Sequence, residues 1–188
     1  ALLRWNHPRH GWISPALFVP VAEDCGLIGR LGEKVLRDSC THLARWRAGG
    51  ADISMSINLS SLQVAQAGFA DQVGRLLSEL GVEPSCVWLE LTESALLRYA
   101  EPIVATLERL RDLGTRLYMD DFGTGYSSLT YLSQFPFDGL KIDRSFVKDL
   151  ASDDKSLAIV RTILDIGRSL DLDVVAEGIE TEEQGAIL

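Results

Sequence analysis

The chain has 188 residues, 46% of them hydrophobic, with 27 acidic against 18 basic side chains and a formal net charge of −9. That length and apolar content suit one domain with a sizeable core, and the acidic balance argues against a nucleic acid polymer as partner, which needs basic patches to displace counterions. Cys25, Cys40 and Cys86 fall in no metal-ligand spacing and read as reduced thiols of a cytoplasmic protein, and no apolar run approaches the roughly 20 residues that cross a bilayer.

In chain order, the first β-favouring run is Leu2 to Trp5, with Arg4 near its C-terminal end. His7 and His10 follow around Pro8, which favours a loop over a metal pair on a helix. Ala48-Gly49-Gly50 reads as a helix exit, and the second run, Ile53 to Leu59, carries Asn58 near its end. Phe69, Val73, Leu76, Leu77 and Leu80 then recur at helical spacing and stop at Gly81. The third run, Val87 to Leu91, holds Glu90 at a position that alternation turns inward. An unpaired carboxylate there is costly, so a metal or a cationic partner is expected.

Pro102 suits a first helical turn, Ile103, Leu107 and Leu110 keep helix spacing, and Gly114 supplies a left-handed stop. The fourth run, Arg116 to Met119, meets Asp120 and Asp121 and then a loop with two glycines. The fifth, Leu140 to Ile142, contains Lys141 and leads to Asp143. The sixth, Asp173 to Ala176, follows a stripe of Leu157, Val160, Ile163, Leu164 and Leu170 and leads to Glu177. Trp5, Trp12, Trp46 and Trp88 are expected mostly in the core or in helix packing.

Strands alternating with helices imply a parallel sheet, because parallel neighbours need a crossover. All six runs carry a polar, functional-type residue at or near the C-terminal end. An open doubly wound sheet gathers its site at one switch point, whereas polar ends on every strand are what a (β/α)8 barrel shows. The barrel is therefore expected. Two adjacent Asp side chains on an extended backbone point to opposite faces, so Asp120 and Asp121 share one site only if the strand has ended there. Lys141 is another charge at an interior strand position, and a salt bridge to one of the carboxylates is its simplest role. Gly123-x-Gly125 lacks the Lys-Ser/Thr of a P-loop and completes no dinucleotide fingerprint.

The eleven residues Met119-Asp120-Asp121-Phe122-Gly123-Thr124-Gly125-Tyr126-Ser127-Ser128-Leu129 resemble the signature of the EAL family, the bacterial cyclic di-GMP phosphodiesterases. Ala1-Leu2-Leu3-Arg4-Trp5, Asn58-Leu59-Ser60, Glu90-Leu91-Thr92-Glu93-Ser94, Lys141-Ile142-Asp143 and Val174-Val175-Ala176-Glu177-Gly178 match further family motifs in the family's order. The resemblance covers essentially all 188 residues as one EAL domain. It implies an α/β fold, a (β/α)8 TIM-like barrel lacking about one strand at each end, because the Glu expected before Ala1 and the Gln-Gly-Tyr segment expected after Leu188 are not in this sequence. A protein of residues 1 to 188 alone is accordingly expected to leave open sheet edges and to be poorly stable.

The resemblance also implies metal-dependent hydrolysis of cyclic di-GMP to linear pGpG. Asp120 would bridge two Mg²⁺ or Mn²⁺ ions, Asn58 and Glu90 would complete one site, and Asp121 and Glu177 the other. Such an all-oxygen set suits hard cations rather than zinc, and Ca²⁺ is expected to bind and inhibit. Lys141 would hold the water and the phosphate, with Asp143 nearby as orienting group or outer-shell ligand. Whether Glu177 or the metals alone activate the water stays open. Glu93 would fix the Phe122–Leu129 loop by hydrogen bonds. Arg4 would grip a phosphate by its bidentate fork, and Leu3 and Pro20 would line the guanine pocket. The alternatives are a catalytically silent cyclic di-GMP receptor and a protein-interaction module. Intact residues at every matched position favour the enzyme. A homodimer is expected, with sensor or GGDEF-type regulatory domains, and room for a membrane anchor, in the parent chain.

Overall fold

A computed structural model describes residues 1–93, 100–124, 132 and 134–188. Two compact units make up the chain, Ala1–Leu89 with Glu101–Arg116, and Glu90–Ala100 with Leu117–Leu188. Ser94 and the Gly125-Tyr126-Ser127-Ser128-Leu129 end of the expected site loop lie outside the described residues.

The first unit opens differently from expectation. Leu2, Leu3 and Arg4 have no regular structure, and Trp5 begins a hairpin of β1 (Trp5–His7) and β2 (Gly11–Ile13), paired antiparallel with Trp5 opposite Ile13. The cause is local. Pro8 has no N–H for a ladder, the His10 amide turns back to the His7 carbonyl at 3.2 Å, and Gly11 takes a φ of 67° that closes the turn. The hairpin also explains where Trp5 and Trp12 went, while Trp46 lies on an exposed face of the helix over Ile28–Ala48. Trp5, Trp12 and Trp46 are 43%, 71% and 50% exposed, against the expectation of a core role. A two-stranded ribbon has no second layer to cover both faces, and Trp5 leans edge-on against His7 and Phe18.

Helix α1 (Pro15–Asp24) starts at Ser14, whose hydroxyl accepts from the Ala16 amide, with Pro15 at the first helical position. Helix α2 (Ile28–Ala48) buries Leu36, Cys40 and Leu43 and ends at Gly49 after Arg45 and Arg47. Strand β3 (Met55–Asn58) leads through Ser60, which forms a capping box with Gln63, into α3 (Ser61–Val64). In α4 (Phe69–Leu80) the stripe of Phe69, Val73, Leu76 and Leu77 is buried, and Gly81 ends the helix at a φ of 63°. Ile103, Leu107 and Leu110 of α5 (Ala100–Asp112) are fully buried. Strand β3 lies beside β4 (Val87–Thr92), whose first three residues belong to this unit.

The second unit takes the rest of β4, β5 (Arg116–Phe122, from Leu117 onward), β6 (Gly139–Ile142), α6 (Arg144–Lys148), α7 (Asp154–Leu170), β7 (Asp173–Ala176) and α8 (Glu182–Ile187). Its strands lie in the order β4-β5-β6-β7, and β5 with β6 and β6 with β7 are parallel. Among the described strands the order follows the chain without a reversal, so they form no switch point of the doubly wound kind. Tyr118, Met119, Leu140, Ile142, Val147, Val160 and Ile163 fill the core.

One small residue sets the position of β6. A Cβ at Gly139 would stand 2.4 Å from the Tyr118 ring and 2.7 Å from the Asp173 carbonyl oxygen, so any side chain there is excluded. The same strands are pinned by Tyr118 Oη donating to Asp173 Oδ2 at 3.0 Å and by the Leu117 amide donating to Asp138 Oδ2 at 2.8 Å. Among the described residues no helix is long and apolar enough to cross a membrane.

Candidate functional site at the strand ends

The Asp120-Asp121 pair is not at the end of its strand, as expected, but inside it, since β5 continues to Phe122. The backbone solves the alternation problem another way. Met119 pairs with Leu140 and Phe122 with Ile142, three steps on β5 against two on β6, so one residue is extra. Asp121 absorbs it in the left-handed region, at a φ of 55°. A bulge of this kind re-aims a side chain, and a left-handed Asp is a local strain that structures keep mostly at working sites. The Asp121 amide donates to Asp120 Oδ1 at 3.0 Å, and the Thr124 hydroxyl donates to the Asp121 carbonyl at 2.8 Å, which fixes the turn.

Lys141 was expected to meet one carboxylate and meets three. Its Nζ lies 3.1 Å from Glu90 Oε1 and 3.1 Å from Asp120 Oδ1, and it also contacts Glu177 Oε1. Neighbouring strands are about 4.8 Å apart, so a long side chain on β6 reaches across β5 to β4 on one side and past β7 on the other. Glu177 is delivered by the register: Lys141 pairs with Val175, and the Glu177 amide donates to the Ile142 carbonyl at 3.2 Å just beyond the strand. The side chains of Glu90 and Lys141 are 4% and 11% exposed. Burial alone would lower the Lys141 pKa, but the hydrogen bond it donates to Glu177 and the charges of Glu90 and Asp120 outweigh it and raise it. The ammonium therefore stays charged.

Asp121 stands on the other side of the balance. Burial first, then the charges of Asp120 and Asp143, a hydrogen bond with Asp143 and the charge of Glu177, push its carboxyl up to about 6. Asp143 caps α6, its Oδ1 accepting from the Ser145 amide at 2.9 Å and from the Ser145 hydroxyl. Its burial works against the charge, yet the Ser145 bonds hold it below the usual carboxylate range. Ser145 was not foreseen, although an Asp two residues ahead of a Ser after a strand is a cap signal. Glu93 is buried, accepts from the Gly123 amide at 3.3 Å through Oε2, and its Oε1 meets no hydrogen-bond partner among the described residues.

Glu90, Glu93, Asp120, Asp121, Lys141, Asp143 and Glu177 thus all belong to the second unit, while Leu3, Arg4, Pro20 and Asn58 belong to the first. Asn58 is the exposed last residue of β3, and the cap behind it is Ser60. Arg4 is exposed and donates to the Leu3 carbonyl, Leu3 is half-buried, and Pro20 is an exposed residue within α1.

The donor chemistry suits a hard cation, since every candidate ligand offers oxygen. Glu90, Asp120 and Glu177 gather around a single ammonium, and burial together with the neighbouring carboxylates raises the Asp121 carboxyl beside them. Among the described residues, however, no three His, Cys, Asp or Glu side chains are placed to hold a metal ion as they stand. The nearest oxygens are turned to Lys141 instead.

Comparison with known proteins gives a concordant picture. The family model for the EAL domain matches residues 1–188. The chain is 49% identical over 189 aligned positions to the bifunctional diguanylate cyclase/cyclic di-GMP phosphodiesterase MucR of Pseudomonas aeruginosa, covering 100% of this chain and 28% of that protein. It is 40% identical over 183 positions to the cyclic di-GMP phosphodiesterase PA2567 of the same organism, covering 97% and 31%. A solved structure of the phosphodiesterase PaMucR in complex with c-di-GMP is similar with a TM-score of 0.92 and 48% identity, over 100% of this chain and 76% of that one. The chain therefore spans under a third of the length of these curated relatives. The structural likeness, with the consecutive strand order, assigns the α/β TIM-like barrel class.

Proposed function

The chain belongs to the EAL-domain family, and from that premise we propose that it hydrolyses cyclic di-GMP to linear pGpG in a reaction that needs Mg²⁺ or Mn²⁺. The observation that carries this is the cluster of buried Glu90 and Asp120 and the more accessible Glu177 around Lys141, with Asp121 and Asp143 beside it. A solvated turn would not keep so many like charges together, because each buried carboxylate is costly without a cationic partner.

By the motifs they match, Asn58, Glu90, Asp120, Asp121 and Glu177 would hold two divalent cations. When bound, such cations would polarise the phosphodiester and make water a better nucleophile. The chain's own groups do the rest. The Asp121 amide orients the Asp120 carboxylate, and Glu93 keeps Gly123 and the start of its loop in place. Lys141 supplies a permanent positive charge for the phosphate, and Asp143, held by Ser145, orients Asp121. Glu177, at 39% side-chain exposure the most accessible of the Lys141 partners, is our candidate to take a proton from water. Arg4 would hold the phosphate, and Leu3 and Pro20 the guanine. We further propose a cytoplasmic site of action, a homodimer and regulatory domains elsewhere in the parent protein.

The test is to incubate the full-length protein with cyclic di-GMP and Mg²⁺ or Mn²⁺ and to follow pGpG by chromatography. Accumulation of pGpG that stops on chelation and in D120N supports the proposal. Tight binding of the dinucleotide without any pGpG would make the protein a receptor instead, and no binding at all would leave an interaction module.

A further inference from the structure

The Lys141 ammonium contacts Glu90, Asp120 and Glu177, three of the carboxylates assigned above to divalent cations. Each of these carboxylates has a second oxygen to offer, so an ammonium and a divalent cation could share it only as close neighbours of like charge. A Mg²⁺ ion binds oxygen at about 2.0–2.1 Å, which would set two further positive charges within a few ångströms of Nζ. In a cluster where Glu90 is 4% and Lys141 11% exposed, solvent screens that repulsion poorly. The partners differ in their freedom to respond. Glu90 and Asp120 sit on short stems within β4 and β5, next to fully buried Leu89, Leu91 and nearly buried Met119, whereas the lysine head rides on a flexible four-carbon stem.

Resting on the metal assignment of the proposed function, we propose that Lys141 is an exchangeable internal counter-cation: its ammonium and the divalent cations compete for Glu90, Asp120 and Glu177, and metal loading drives Nζ out of the cluster, where it is free to meet the phosphate. The ammonium keeps its protons throughout, and no covalent bond is made or broken. Lys141 is on this account a positioning residue for the carboxylates before it is a binding residue for substrate.

The test uses the full-length protein and reads Lys141 itself. Limited acetylation of lysine amines, resolved by peptide mass spectrometry, is run in a chelator and in Mn²⁺. Lys34, with its side chain 67% exposed, serves as the internal reference. Lys141 is expected to react about tenfold faster relative to Lys34 once Mn²⁺ is bound, since release from the cluster exposes it. Binding at this site is read in parallel by electron paramagnetic resonance as the Mn²⁺ lost in D121N, a residue that does not touch Lys141. A second arm measures K141M, which should bind Mn²⁺ more tightly than the wild type because the competitor is gone. If Mn²⁺ is bound and Lys141 labelling is unchanged or slower, or if K141M binds Mn²⁺ no more tightly, the exchange is overturned while the metal assignment stands. If wild type binds no D121N-sensitive Mn²⁺, the metal assignment falls and the exchange with it.

Discussion

At the scale of single residues, the site is a contest between one ammonium and several carboxylates. Asp120 touches Lys141, takes the Asp121 amide and sits 9% exposed, so it is the group with most to lose. Asp120→Asn should lower kcat about a hundredfold or more, in line with losing a group needed in the transition state, whereas Arg4→Ala should mainly raise KM. Steady-state kinetics on pGpG formation separates the two, and near-normal kcat in D120N would remove β5 from the site. Asp121 permits a pH prediction. Its folded value is raised to about 6 from an ordinary 3.8, so the fold favours its protonated form. The sign follows: this contribution is fully present below about 4 and is lost as pH rises through about 6. Thermal melts in chelator should therefore fall between about pH 4 and 6, and Asp121→Asn should flatten that slope. An equally steep slope in D121N would assign it to another group.

At the scale of elements, two adjacent features aim the side chains. The β5 bulge turns Asp121 out of the regular alternation, and Gly139 lets β6 close up on β5 and β7. Gly139→Ala is expected to destabilise the protein by about 1–3 kcal/mol, because the new Cβ meets the Asp173 backbone, which cannot rotate away as a side chain can. The same shift would move Lys141, two residues on, so activity should fall further than stability alone explains. Denaturant melts and kinetics on one preparation decide this. An unchanged midpoint would mean that β6 has more slack than its packing indicates. The helices were the most legible elements. The buried stripes of α4 and α5 and the stops at Gly81 and Gly114 follow from apolar spacing and glycine alone. The hairpin of β1 and β2 was not foreseen, since Leu2 to Trp5 has strand composition, and only the turn at Pro8 to Gly11 decides which residues pair.

For the molecule as a whole, the excess of carboxylates makes cations part of the expected working state. The full-length protein should gain thermal stability with Mg²⁺ or Mn²⁺, because a ligand that binds only the folded state shifts unfolding by mass action. It should lose all pGpG formation on exhaustive chelation. Ca²⁺ should restore the stability but not the turnover, since it tolerates irregular coordination that leaves the reacting groups misplaced. Turnover that survives chelation would refute the proposed mechanism. The negative net charge is in keeping with this, as it leaves a small phosphate ligand dependent on locally bound cations and on residues such as Arg4 and Lys141.

By itself the sequence determined the α/β class, the order of the strands from β3 to β7, the family motifs and the inward position of Glu90, because apolar periodicity and short polar strings are local properties. It also placed a charged Lys141 inside a strand without saying what it meets. Only the tertiary structure decided that three carboxylates share its ammonium, that Asp121 is re-aimed by a bulge rather than by a strand end, and that Ser145 holds Asp143. Those outcomes depend on register between strands far apart in the chain, and a register is fixed by packing such as that of Gly139 against Tyr118 and Asp173, which no window of neighbouring residues contains.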